Sequence, residues 1–125
     1  MIDISLKNFK DLIVWQESMV LAREIYHLVK LLPNEERYGL SDQMRRAAVS
    51  IPSNIAEGQA RNSTKEFIQF LHIAKGSNAE LMTQLMLCSD FEYLTNEQTL
   101  NARELSNKIG KLLSGLIQSL KQKNC

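Results

Sequence analysis

The chain has 125 residues, which suits one domain with a single core. Apolar residues make up 44% and charged residues 23%, an ordinary globular balance that argues against a disordered or membrane-embedded chain. Net charge is only +1, less basic than a dedicated nucleic-acid domain usually is.

That charge is unevenly spread: residues 103–125 carry +4 and residues 1–102 carry −3. Only two prolines and five glycines occur, which suits long helices with short joints. Cys88 falls on an apolar helical face and Cys125 is the last residue, so no intrachain disulfide is expected and a reducing compartment fits. MIDISLKNFK lacks the charged start and apolar run of a signal peptide. No stretch approaches the ~18 uninterrupted apolar residues of a membrane span. The expectation is a cytoplasmic protein with no membrane partner.

Residues 1–8 read as an N-terminal arm, in which Ile2, Ile4 and Leu6 alternate with polar neighbours. The first helix is predicted over about 9–32, with Trp15, Met19, Ala22, Ile25, Tyr26 and Val29 on its inner face and Pro33 stopping it. The second, about 40–60, is expected to start at Ser41 as N-cap, with Asp42 in its first turn. Leu40, Met44, Ala47, Ala48, Ile51 and Ile55 recur at three- and four-residue steps and share one face. Pro52 interrupts that pattern at a cost of roughly 3 kcal/mol and predicts a kink near residues 48–52.

The third helix, about 64–92, opens on the capping box Ser63-Thr64-Lys65-Glu66. Phe67, Phe70, Leu71, Ala74, Leu81, Leu85 and Cys88 form its apolar seam, with Asn78 in the middle. A buried amide left unbonded costs about 1–3 kcal/mol, so Asn78 is expected to bond across helices and fix their register. The short joint from Gly58 to Asn62 requires helices two and three to be antiparallel neighbours. The fourth helix, about 96–121, has a second capping box in Thr95 and Gln98 and a seam through Leu105, Ile109, Leu112, Leu113, Leu116, Ile117 and Leu120. Gly110 and Gly115 cost it roughly 1 kcal/mol each and are expected to admit a close neighbour. Residues 9–121 thus make the bundle and 122–125 a frayed tail. The fold class is all-α: an antiparallel up-down-up-down four-helix bundle.

YGLSDQMRRAAVSIPSNIAEGQARNSTKEFIQFLHIAKGSNAEL (residues 38–81) closely resembles the four-helix-bundle family of 23S rRNA intervening-sequence proteins, and FKDLIVWQES (residues 9–18) resembles that family's first helix. The resemblance spans about Phe9 to Leu120 and rests on YGL, RRA, NIAEG, a capped EF and AKGS in this order. It implies an antiparallel four-helix bundle, often assembled as a ring of five subunits, with no established enzymatic activity. Some members are encoded inside insertions in ribosomal RNA genes. Relatives serve diversity-generating retroelements as nucleic-acid-binding partners of a reverse transcriptase.

The residues themselves offer little chemistry. Glu24 and His27 form Glu-x-x-His, but a di-iron bundle needs that motif on two helices, and His72 has no glutamate three residues before it. No Cys/His spacing suits zinc, Gly76 lies inside a helix rather than in a phosphate-cradling loop, and Ser77 has no base partner. No catalytic residue, metal or cofactor is expected. A polar stripe of Arg46, Ser50, Ser53 and Glu57, joined by Glu80 and Gln84, leaves the subunit's seam near apolar Ile73 and Leu87. It reads as a homo-oligomer interface in which Arg46 pairs with Glu57 or Glu80, against the alternative of a solvated face. Candidate nucleic-acid contacts are Arg45, Arg61, Lys65, Lys108 and Lys111. With few aromatics nearby, any RNA binding is expected to be weak and backbone-directed. The candidate partners are therefore the chain itself and RNA or an RNA-associated protein. The competing expectation is a purely structural protein–protein oligomer.

Overall fold

The computed structural model describes residues 8–123. The N-terminal arm up to residue 7 and Cys125 lie outside the described residues. Four helices, α1 (Ile13–Val29), α2 (Leu40–Gln59), α3 (Thr64–Asp90) and α4 (Asn96–Lys123), pack in a closed square: α1 on α2, α2 on α3, α3 on α4 and α4 on α1. The neighbours run antiparallel. Down the α2–α3 seam, Gly58 meets Phe70, Ser50 meets Ser77 and Met44 meets Cys88, with the order along the chain reversed.

The expected continuous helix over 9–32 is corrected at both ends. The Asn8 carboxamide oxygen accepts from the Lys10 amide at 2.8 Å and caps a separate 3-10 turn, Phe9–Asp11. Leu12 is then extended, which buries its side chain, and α1 begins at Ile13. The face of α1 is also turned from the expected one. Val14, Ser18, Leu21, Ile25, Leu28 and Val29 are buried, whereas Tyr26 is 44% exposed and Trp15 stacks edge-on against Phe9 at the border of the core. Ser18 makes this possible: its hydroxyl donates to the Val14 carbonyl at 2.6 Å, so a residue that reads as polar enters the core already bonded.

Ser41 is not the N-cap of α2; it is buried and makes no capping bond. The Glu36 carboxylate takes that role from a preceding 3-10 turn, accepting from the Leu40 amide at 3.0 Å. Its other oxygen accepts from the Tyr93 hydroxyl at 2.8 Å, tying the α1–α2 joint to the α3–α4 joint. α2 continues unbroken through Pro52. Near its end, Gly58 lies hard against α3: a Cβ there would stand 2.5 Å from the Phe70 Cβ. Gly115, by contrast, has nothing within 4 Å of a Cβ position, and Gly110 meets only the Asn78 amide nitrogen at 3.4 Å. The close approach expected of the α4 glycines belongs, within the chain, to Gly58.

The Ser63 hydroxyl accepts from the Glu66 amide at 3.2 Å, while the Glu66 carboxylate turns instead toward Arg61, 3.9 Å away. The second capping box is complete, with Gln98 N–H to the Thr95 hydroxyl at 3.0 Å and Thr95 N–H to the Gln98 side chain at 2.8 Å. Between the two helices Glu92 takes a left-handed conformation, φ 63°, which lets the Tyr93 amide return to the Cys88 carbonyl. α4 stays helical through Lys123, past the expected fraying point. Asn78 is buried and bonded twice to Ser106: its amide donates to the Ser106 carbonyl and its oxygen accepts the Ser106 hydroxyl, both at 2.9 Å.

Candidate interaction surfaces

The polar stripe of α2 divides on inspection. Ser50 does not leave its own subunit: its hydroxyl lies 2.8 Å from that of Ser77, and the Asn54 amide donates to both its carbonyl and its hydroxyl. These three residues form a polar link between α2 and α3. Ser53 is exposed on another side, beside Trp15, Met19 and Pro52 in a groove between α1 and α2. Gln84, expected to leave the seam, is buried. Its amide donates to Glu80 at 3.2 Å, but its oxygen has no donor among the described residues.

Arg46, Glu57 and Glu80 remain on the outer surface. Within the chain Arg46, its side chain 79% exposed, bonds to Asp42 at 3.0 Å, and Glu57 faces Arg61 at 3.8 Å. Ile73 is 51% exposed on α3, and Leu87 is partly buried about four turns further on.

The five candidate phosphate contacts fall in four places. Arg45 donates to the Arg37 carbonyl and lies 3.9 Å from Asp42. Arg61 stands over the Phe70 ring at 5.0 Å between Glu57 and Glu66, at the end of the bundle where Lys65 opens α3. Lys108 is salt-bridged to Glu17 across the α4–α1 seam. Lys111 borders an open trough of about 530 Å³ between α3 and α4, and Lys75 lines it from α3. Sequence reasoning passed over Lys75, although it stands in the AKGS string three residues before Asn78. It also passed over Ser106, whose part depends on Asn78 lying opposite.

Two further groups are tuned by their surroundings. The Leu40 amide and the Tyr93 hydroxyl hold the Glu36 carboxyl below its ordinary value, and the same contact raises the Tyr93 phenol. Burial pushes the Cys88 thiol up to about 11, which makes it a packed apolar group rather than a nucleophile at neutral pH. Glu24 and His27 share α1, His27 being exposed, and among the described residues no three His, Cys, Asp or Glu side chains come together to hold a metal. Among the same residues no helix is long and apolar enough to cross a membrane.

These elements define an all-α protein, an antiparallel four-helix bundle in which Ser50 with Ser77 and Asn78 with Ser106 link helix to helix. The family model for the 23S rRNA-intervening sequence protein matches residues 10–115. The chain belongs to this family. The bundle is also similar to the crystal structure of a protein of unknown function from the S23 ribosomal protein family of Bacteroides thetaiotaomicron. The two share 35% identity over 87% of this chain and 98% of that one, with a TM-score of 0.80. Comparison with curated proteins gives no significant match.

Proposed function

We infer that the protein is a non-enzymatic, cytoplasmic scaffold that associates with copies of itself and holds RNA weakly by its backbone. The observation that carries self-association is the outer face of α2 and α3. There Ile73 stands half exposed on the same helix as Glu80, and among the described residues the guanidinium of Arg46 bonds to Asp42 alone. A second copy would bury Ile73 and offer Arg46 a Glu57 or Glu80 carboxylate, removing apolar surface that a monomer leaves in water. The resemblance favours a ring of five. In a ring each weak basic site is repeated, so RNA affinity grows without any new contact. Support for RNA comes from the family, described by an intervening sequence of 23S rRNA, and from the surplus of positive charge toward the C-terminal end.

Sedimentation velocity tests the assembly. The unaltered chain is expected at several times 14.3 kDa, with Arg46→Glu and Ile73→Glu shifted toward the single-chain mass. A single-chain mass for the unaltered protein refutes the scaffold as a self-assembly. Anisotropy of labelled single-stranded RNA across a salt series tests the second half. Absence of binding at low salt leaves a purely structural protein–protein oligomer, the reading that the net charge of +1 favours.

A further inference from the structure

We propose that the trough between α3 and α4 is the RNA site, and that it takes the sugar–phosphate backbone of a single strand between Lys75 and Lys111. This rests on the reading of the protein as an RNA-holding scaffold and adds where on the subunit the strand lies. Of the basic side chains considered above, Arg45, Arg46, Arg61 and Lys108 already face carboxylates, and Lys65 stands apart at the bundle end, in the first turn of α3 next to Glu66. Lys75 and Lys111 make no ion pair among the described residues, and no acidic residue lines the trough they border. Two uncompensated ammonium groups on opposite walls of a concave surface focus positive potential into it, which favours an anion between them.

The lining narrows the class of anion. No aromatic side chain stands there to stack a base, so the face offered to the trough is the backbone rather than the bases. Gly110 has no side chain and Ala79 only a methyl, so a strand can approach the helix surfaces closely. Asn107 and Ser114 add neutral donors along one wall, which suit phosphate oxygens and the 2′-hydroxyl. The floor beneath is held firm by the double bond between Asn78 and Ser106. From Ser106 to Ser114 the α4 wall is about 12 Å long at 1.5 Å per residue, the length of a short stretch of strand. An acidic amphipathic peptide would need apolar anchors, and Met82 alone among the larger lining side chains could supply one.

The test measures binding of a fluorescein-labelled oligouridylate to the full chain across a salt series. Three proteins are compared: the unaltered chain, Lys75→Gln/Lys111→Gln, and Arg23→Gln/Lys30→Gln as a charge-matched control at exposed positions along α1 and its C-terminal end. Each lysine that neutralises one phosphate of a single strand contributes about 0.7 to the slope of log K against log salt. The trough variant is therefore expected to lose about 1.4 of that slope for each engaged subunit and to bind weaker at low salt, while the control keeps the slope. Ser114→Glu, which places a carboxylate in the trough, is expected to weaken binding in the same direction. Circular dichroism and sedimentation should be unchanged in all variants. RNA binding with an unchanged slope in the trough variant overturns the site and leaves the scaffold reading standing. No RNA binding by the unaltered chain overturns both. Polyglutamate bound as tightly as RNA, and lost in the same variant, overturns the assignment in favour of an acidic protein.

Discussion

The glycines of the bundle should respond to alanine with opposite signs. At an exposed helical position Gly→Ala stabilises by roughly 0.5–1 kcal/mol, because alanine restricts the unfolded chain and suits the helix better. Gly76 in α3 and Gly115 in α4 have nothing within 4 Å of a Cβ, so Gly76→Ala and Gly115→Ala should realise that gain. Gly58 in α2 has the same propensity term but a different surrounding. Its added methyl would stand 2.5 Å from the Phe70 Cβ and 3.1 Å from the Phe67 Cδ1. Ordinary carbon contacts lie at about 3.5–4.0 Å, and a Cβ is fixed to its backbone, so α2 and α3 must separate locally by about 1 Å. Overpacking of this kind costs about 1–3 kcal/mol, which outweighs the helix gain and leaves Gly58→Ala destabilised by about 1–2 kcal/mol. Chemical denaturation at matched association state reads the difference as a shift in midpoint at constant m. Gly58→Ala as stable as Gly76→Ala would refute the close α2–α3 approach and the packing argument built on it.

The other predictions concern polar groups. Gln84→Met removes a buried oxygen that has no donor and is expected to stabilise by about 1 kcal/mol or more, read as a higher melting temperature; a lower one would show that the amide is satisfied after all. Ser106→Ala takes the donor from the Asn78 oxygen and should destabilise by about 1–3 kcal/mol, while Asn78→Leu/Ser106→Ala should cost less than the two single changes added together in a double-mutant cycle. Glu36 has a folded pKa below its ordinary 4.5, so its stabilisation is present above that value and is lost as pH falls through the depressed one. Glu36→Gln should therefore melt lower than the unaltered chain at neutral pH, with the gap narrowing in acid; a gap independent of pH would refute the assignment.

Much of the architecture was legible because helical periodicity and capping are local. Thr95 and Gln98 lie three residues apart and bond to each other, so the sequence alone contains the whole interaction. The same reasoning failed where a distant residue took the role. Ser41 is a good cap by composition, yet the Leu40 amide was already bound by Glu36, whose carboxylate is steadied by Tyr93, 57 positions away. α1 was read one step off its true face because Ser18 counts as polar in any pattern, and only its bond to the Val14 carbonyl shows that it can enter the core at little cost.

Asn78 and Gln84 sharpen the point, since both are amides buried on the same helix. Asn78 could be read as structural because it interrupts an apolar seam, and burial demands that such a group be bonded. Its partner Ser106 stands in step with Ile109, Leu113, Ile117 and Leu120, as Ser114 and Ser119 do not, but that position alone does not say which residue of which helix lies opposite. Gln84 looked like an outward residue because Glu80, one turn earlier, is outward and the two share a side of the helix. The packing of the bundle covers Gln84 and leaves Glu80 exposed, though one turn separates them. The interaction surfaces obey the same rule. Whether a lysine is available to a phosphate depends on which carboxylate the neighbouring helix brings to it: Lys108 has Glu17, and Lys111, three residues on, has none among the described residues. Charge counted along the chain treats those two lysines as equal, and only the packing of four helices separates them.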